Sequence, residues 1–257
     1  FDVTDALDWQ GENVLVIRIG AHPGVLPDTY PTGTDFEKLR WTPGIYDRVS
    51  LRLCDSPVIE HIQVAPRIDR SEILVQTQLK NVGEAATFLL KHRIATWKGG
   101  KPVAETQPMP VKLDAHSTQT VTERISIPAP TLWSPENPFL YVLETSSQGD
   151  STSTRFGMRE FRFDPASGKA YLNGKVCYLR GSSITLHRFF EDPASGRLPW
   201  DDSWVRRLLA ELPKQLHWNA FRFCIGPVPE RWFEIADEAG LLIQNEFFMW
   251  NNRPSED

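Results

Sequence analysis

The stretch from Leu172 to Glu246 alternates strand-like and helix-like patterns, and few folds accept that order. Asn173-Gly174 has the composition of a two-residue hairpin turn, with Tyr171-Leu172 and Lys175-Val176 as its arms. Val176 to Leu179 is an apolar run and predicts a short strand that stops at Arg180-Gly181. A helix is expected after the Asp201-Asp202-Ser203 cap. Trp204, Leu208, Leu212 and Leu216 recur four apart there, with Val205 and Leu209 beside them. Pro213 falls inside this stripe, lacks an amide donor and predicts a kink or an early end. Trp218 to Phe223 reads as the next strand. Pro229 suits the first turn of a second helix, whose apolar residues Trp232, Phe233, Ile235, Ala236 and Ala239 end at Gly240. Leu241-Leu242-Ile243 is apolar throughout, as a strand buried on both faces would be. Strands alternating with helices at this spacing are parallel β/α units, here the opening of a barrel.

Upstream the period changes from helical to two. Ile73, Val75, Thr77 and Leu79 alternate with polar neighbours, as do Val121, Glu123, Ile125 and Ile127; Leu140 and Val142 make a third set. Lys98-Gly99-Gly100-Lys101-Pro102 supplies a turn, and the Ser/Thr/Gly stretch from Thr145 to Thr154 reads as a hairpin loop. Residues 58–155 therefore predict one β-sandwich of about a hundred residues. It is either a carbohydrate-binding module or a spacer, and the lack of clustered aromatics favours the spacer. Before it, Asn13 to Ile19 and Gly44 to Leu51 read as strands, with Val49, Leu51 and Leu53 on one face. Between them, residues 20–44 are rich in Pro, Gly, Thr and Asp and read as a long loop. Its Tyr30 and Trp41 are suited either to stacking on a sugar or to packing.

With 257 residues the chain is long enough for several domains with real cores. A net charge of −5 gives no basic stripe and argues against a nucleic-acid surface. No apolar run approaches a membrane span. Residue 1 already lies in a patterned segment, so a signal peptide would fall outside this sequence. Cys54, Cys177 and Cys224 are odd in number, far apart and without metal-ligand spacing, and read as buried free thiols.

Several of these stretches, in order, resemble glycoside hydrolase family 2, which contains β-galactosidases, β-glucuronidases and β-mannosidases. They are Leu132-Trp133-Ser134-Pro135-Glu136-Asn137-Pro138-Phe139-Leu140-Tyr141, Phe156-Gly157-Met158-Arg159-Glu160, Asn173-Gly174, Arg180-Gly181 and Asn219-Ala220-Phe221-Arg222. The last runs from Asp237-Glu238-Ala239-Gly240-Leu241-Leu242-Ile243 to Glu246. The resemblance implies three parts: the end of a sugar-binding jelly roll over residues 1–57, about half of it missing; an immunoglobulin-like sandwich over 58–155; and the start of a (β/α)8 TIM barrel over 156–257. It implies a retaining glycosidase that removes terminal β-linked sugars of the galactose or glucuronic acid type from an oligosaccharide or polysaccharide. The rival is a non-catalytic carbohydrate-binding or scaffold protein of the same architecture. A periplasmic or secreted location is favoured for a polysaccharide-degrading enzyme, with a cytoplasmic one and a homo-oligomer left open.

A retaining glycosidase places two carboxyl groups about 5–5.5 Å apart. In the family both are glutamates on later barrel strands, so no catalytic residue is assigned within this chain. Asn245-Glu246 imitates the dipeptide around the family's acid/base. Its position after the Gly-Leu-Leu-Ile strand instead matches an earlier glutamate that lines the pocket. Arg222, at the carboxyl end of its strand, has a planar fork suited to a carboxylate or a sugar hydroxyl. By resemblance it supports the nucleophile; a structural ion pair with Glu246 is compatible with that role. His187 follows Arg180-Gly181 at a spacing different from the family's, and is a pocket residue or a solvated loop histidine. Trp250 is a stacking wall or core. After Arg222 the family's Ser-His-Tyr-Pro is replaced by Cys224-Ile225-Gly226-Pro227. Where some members bind Mg²⁺, Phe247-Phe248-Met249-Trp250 offers no hard oxygen ligands, so neither metal nor cofactor is expected.

Overall fold

The computed structural model describes residues 1–19, 44–224 and 228–246. Eight antiparallel strands build a two-sheet sandwich: β1 (Val58–Arg67), β2 (Glu72–Lys80), β3 (Ala86–Thr96), β4 (Pro102–Glu105), β5 (Met109–Leu113), β6 (Thr118–Ser126), β7 (Tyr141–Ser146) and β8 (Ser151–Phe156). One sheet has the order β1-β2-β6; the other runs β4-β3-β7-β8, with β5 also paired to β3. The alternation read in β2 holds, since Ile73, Val75, Thr77 and Leu79 are all buried. Ile73 and Val75 meet Ile94, Ile125, Ile127, Tyr141 and Leu143 in one apolar cluster, and Leu79 meets Ile59, Leu90, Val111 and Leu113 in a second. Gly99 and Gly100 take positive φ of 90° and 60° between β3 and β4, a turn only glycines make without strain.

Two readings inside the sandwich shift. In β7 the inward residues are Tyr141, Leu143 and Thr145, one position out of phase with the expected Leu140 and Val142. Leu140 is buried elsewhere, against Trp133 and Leu172. Most of the expected Thr145–Thr154 loop is ladder, with Leu143 opposite Thr154 and Thr145 opposite Thr152. Only residues 147–150 turn, because β-branched threonines suit a strand and Thr145 is wholly buried in one.

The first segment differs more. Residues 13–19 and 44–53 form no strand, and Val14, Val16, Leu51 and Leu53 are exposed. A strand needs a ladder partner, and none pairs with them among the described residues. The segment is instead tethered by side chains: Arg52 donates to the Ile59 carbonyl at 2.9 Å and pairs with Asp150, and Trp200 Nε1 donates to the Tyr46 carbonyl at 2.9 Å.

After the sandwich, β9 (Phe161–Asp164), β10 (Lys169–Leu172) and β11 (Lys175–Val176) form a small antiparallel sheet. Tyr171 faces Val176 and Leu172 faces Lys175, as expected, across Asn173 and Gly174 at φ 51° and 77°. A parallel sheet follows in the order β12 (Gly181–Ile184), β13 (Ala220–Phe223) and β14 (Leu242–Asn245). The first parallel strand therefore begins at Gly181, where the sequence reading had a strand over 176–179 ending. Residues 175–176 are taken by the hairpin, and Tyr178 and Leu179 are left largely exposed. A Cβ at Gly181 would lie 1.6 Å from the Ala220 carbonyl oxygen, so β12 and β13 approach this closely only through glycine.

The helices of this unit are α1 (Leu186–Glu191), α2 (Asp202–Arg206), α3 (Leu212–Gln215) and α4 (Glu230–Ala239). The stretch between Arg180-Gly181 and the Asp201 cap thus holds strand and helix. The Asp201 side chain accepts from the Trp204 amide and caps α2. A π turn over Arg207–Glu211 joins α2 to α3 directly before Pro213, whose nitrogen has no hydrogen for a carbonyl one turn back. The proline widens the helix rather than ending it. Pro229 stands just before α4 without a side-chain cap, and Gly240 closes the helix at φ 80°. Ile184, Phe221, Phe223, Leu209, Trp232 and Ile235 make the core between sheet and helices. β14 is half-exposed rather than buried on both faces, because β13 is its single partner here.

The sandwich seats on α4. Trp133 Nε1 donates to the Asp237 carbonyl at 2.9 Å, and Arg155 reaches Glu238 at 3.0 Å and the Glu234 carbonyl at 2.8 Å. The Trp-Ser-Pro motif is therefore an internal joint.

Candidate functional site

The parallel strands sort their side chains by the period of two. Ile184, Phe221 and Phe223 point into the helix-side core. Ser183, Arg222 and Gln244, paired across the sheet, lie on the opposite face. One step further along, Thr185, Cys224 and Glu246 continue that face at the carboxyl ends of the strands. In β/α folds those ends carry the reactive groups, since the loops that follow them vary without disturbing the core.

Arg222 and Glu246 form an ion pair there, their side chains 40% and 24% exposed. The bond raises the Arg222 guanidinium above its already high value and keeps it charged. The backbone holds the pair in register: Glu246 N donates to the Phe223 carbonyl at 3.1 Å, and Cys224 N donates to the Ile184 carbonyl at 2.8 Å. Cys224 sits between Thr185 and Glu246 at the strand ends. Burial, and then the Glu246 carboxylate, push its thiol above the ordinary value. The arrangement offers a fixed cation, a carboxylate and two small donors on one exposed face, a set suited to neutral hydroxyls or a carboxylate.

The two strand-borne candidates, Arg222 and Glu246, come together as the sequence allowed. His187 has its backbone in the first turn of α1, two residues beyond Thr185. Trp250, like Tyr30 and Trp41, lies outside the described residues. Sequence reasoning missed Thr185 and treated Cys224 as an inert thiol. The signal was available, since Cys224 is two residues after Arg222 and must share its face if the strand continues. It also missed Tyr46, which stacks on Trp200 with ring centroids 6.4 Å apart, and Asp47, which accepts the first α4 amide at 2.8 Å. Among the described residues no group of three or more His, Cys, Asp or Glu converges on a metal position, and no helix is long and apolar enough to cross a membrane.

Residues 58–159, the sandwich with its Trp-Ser-Pro motif, match the sequence model of glycosyl hydrolases family 2. The chain is therefore similar to glycosyl hydrolase family 2 over its sandwich. It is 28% identical over 268 residues to a β-galactosidase of Vibrio cholerae, covering 96% of this chain and 24% of that protein. A β-galactosidase of Priestia megaterium is 26% identical over 257 residues, covering 96% and 23%. Among solved structures, a family 2 member from Bacteroides cellulosilyticus superposes with a TM-score of 0.60 at 26% identity, over 74% of this chain and 26% of that one. A Bacteroides uniformis β-glucuronidase gives 0.60 at 25% identity, over 75% and 23%. The chain thus spans about a quarter of the length of the β-galactosidases it matches.

Proposed function

We propose that the protein is a retaining family 2 glycosidase that removes terminal β-linked sugars of the β-galactoside or β-glucuronide type. In this reading β12, β13 and β14 are the first three strands of a (β/α)8 barrel. Residues 1–57 belong to a jelly roll, 58–155 to an immunoglobulin-like domain and 156–257 to the barrel. The Arg222–Glu246 pair at the carboxyl ends of parallel strands carries the reading, supported by relatives that are β-galactosidases and β-glucuronidases. Glu246 lines the sugar pocket, and the Arg222 fork orients the attacking carboxylate contributed by a later strand. His187 and Trp250 are proposed to border the same pocket.

The test is turnover of aryl β-galactoside and aryl β-glucuronide by the full-length protein, with anomeric configuration followed by NMR. Retention is expected on one of the two. In the same protein Arg222→Lys keeps the charge and loses the planar fork. A lost hydrogen bond to a charged group costs about 1.5–3 kcal/mol, and each ~1.4 kcal/mol is about tenfold in rate. Arg222→Lys is therefore expected to lower kcat/KM roughly ten- to a hundredfold with little change in melting temperature. No turnover of either substrate, or wild-type kinetics with a collapsed melting temperature, contradicts the reading.

A further inference from the structure

Two aromatic rings stand at the same end of the parallel unit as the Arg222–Glu246 pair. Trp200 ends the connection from β12 to α2 and directly precedes the Asp201 cap. Tyr46 comes from the N-terminal segment, and its carbonyl accepts the Trp200 indole N–H at 2.9 Å. The two rings are offset-stacked, with centroids 6.4 Å apart and planes 21° from parallel. Helices of a parallel β/α unit run against its strands, so α2 and α4 start at the strands' carboxyl ends. Asp47 accepts the first amide of α4 at 2.8 Å and ties the Tyr46 side of the pair to that end. The rings therefore share a face of the molecule with Arg222 and Glu246, one layer outward, at the helix starts.

Packing alone favours burial of both rings, as Trp232 shows: it is fully buried, with its indole N–H on the Pro199 carbonyl at 2.8 Å. Trp200 and Tyr46 instead keep 47% and 36% of their surface exposed. Charge borders them. Arg48, two residues after Tyr46, meets Glu230 at 3.5 Å, and both side chains are more than two-thirds exposed. A flat apolar surface edged by charged donors and acceptors matches a pyranose, which has an apolar C–H face and a rim of hydroxyls.

We propose that Tyr46 and Trp200 form a further sugar subsite. It takes a ring in the leaving portion of an oligosaccharide whose terminal sugar is held at Arg222 and Glu246. The choice of ligand rests on the glycosidase reading above. A single sugar at the strand ends does not reach the helix layer, whereas a chain does. The platform therefore selects for the length of the substrate and not for the identity of its terminal sugar.

The test compares two substrates in the full-length protein, a β-linked galactotriose and an aryl β-galactoside, or their glucuronic acid counterparts. Its readout is the ratio of their kcat/KM values. Trp200→Leu and Tyr46→Leu keep apolar bulk and lose the flat face, and the Tyr46 carbonyl remains as an acceptor. Each is expected to lower the trisaccharide-to-aryl ratio roughly three- to tenfold. Trp200→Phe keeps a ring without the N–H and is expected to retain most of that ratio. An unchanged ratio in either leucine variant, including an equal loss on both substrates, overturns the subsite. A ratio that falls as far in Trp200→Phe as in Trp200→Leu also overturns it, because the hydrogen bond and not the ring face then carries the effect. If the protein turns over no glycoside, the glycosidase reading falls and calorimetric titration with the trisaccharide decides the subsite. Binding weakened several-fold in Trp200→Leu supports it; equal binding, or none by the wild type, overturns it.

Discussion

Arg222 and Cys224 lie two residues apart on β13, with Phe221 and Phe223 between and around them facing the other way. That alternation makes one strand serve both core and site. A second polar position arises in the sandwich, where the same rule places His92 and Glu123 inward from opposite sheets. His92 Nδ1 is 2.9 Å from Thr145 Oγ1, while its Nε2 stands 3.6 Å from Glu123 Oε2. Those last two atoms, and Thr77 Oγ1 nearby on β2, are buried without a hydrogen-bond partner. Burial lowers His92 from its ordinary 6.5 to about 4 and raises Glu123 above its ordinary 4.5. Folded His92 resists protonation, so the unfolded chain takes up a proton first as pH falls below 6.5. Stability from this group is full above that value and is lost between pH 6.5 and 4. Glu123 works in the opposite sense, its burial cost easing as pH falls toward its raised value. From pH 7.5 to 5 the histidine alone is worth about 2 kcal/mol. His92→Leu, which has no proton to gain, is expected to flatten the loss of protection in β3 and β6 over that range. Hydrogen exchange by mass spectrometry at the two pH values measures it, and an unchanged slope would contradict the assignment.

At the scale of elements, α4 joins the two halves of the molecule, and its C-terminus is the tightest point. Gly240 has φ 80°, and a Cβ there would lie 2.5 Å from the Pro135 carbonyl oxygen of the sandwich. The left-handed conformation alone costs a side chain about 1–2 kcal/mol, and the clash adds to it. Gly240→Ala is therefore expected to lower stability by more than ~1 kcal/mol and to loosen the Trp133–Asp237 joint. Urea unfolding followed by tryptophan fluorescence reads the first, and protease cutting around Pro135 the second. The sequence showed Gly240 as a helix stop, because local backbone chemistry is enough for that. It did not show Pro135 beneath it, a contact separated by more than a hundred residues. The helix before β13 teaches the same lesson: Pro213 marked an interruption, and only packing of Leu209 into the core decided for a π turn over a broken helix.

At the scale of the whole molecule, the described residues hold three parallel strands, an open sheet edge and an Arg–Glu pair, while a barrel closes with eight strands. Purified residues 1–257 are expected to turn over no aryl β-glycoside and to aggregate through the exposed edge and the apolar Phe163, Tyr178 and Leu179. Activity above a matched blank, or a stable monomer on size exclusion at high concentration, would count against that. The sequence by itself determined the elements whose causes are local: the Asn173-Gly174 hairpin, the alternation in β2, the Asp201 and Gly240 helix ends, and the β/α order of the last hundred residues. Tertiary structure decided the rest. It set the phase of β7, began the parallel sheet at Gly181 instead of Val176, left residues 13–19 and 44–53 without a ladder among the described residues, and brought Thr185, Cys224 and Glu246 together. The reason is physical: turns and caps are satisfied within a few residues, whereas a strand's face and partners depend on hydrogen bonds and burial supplied from far along the chain.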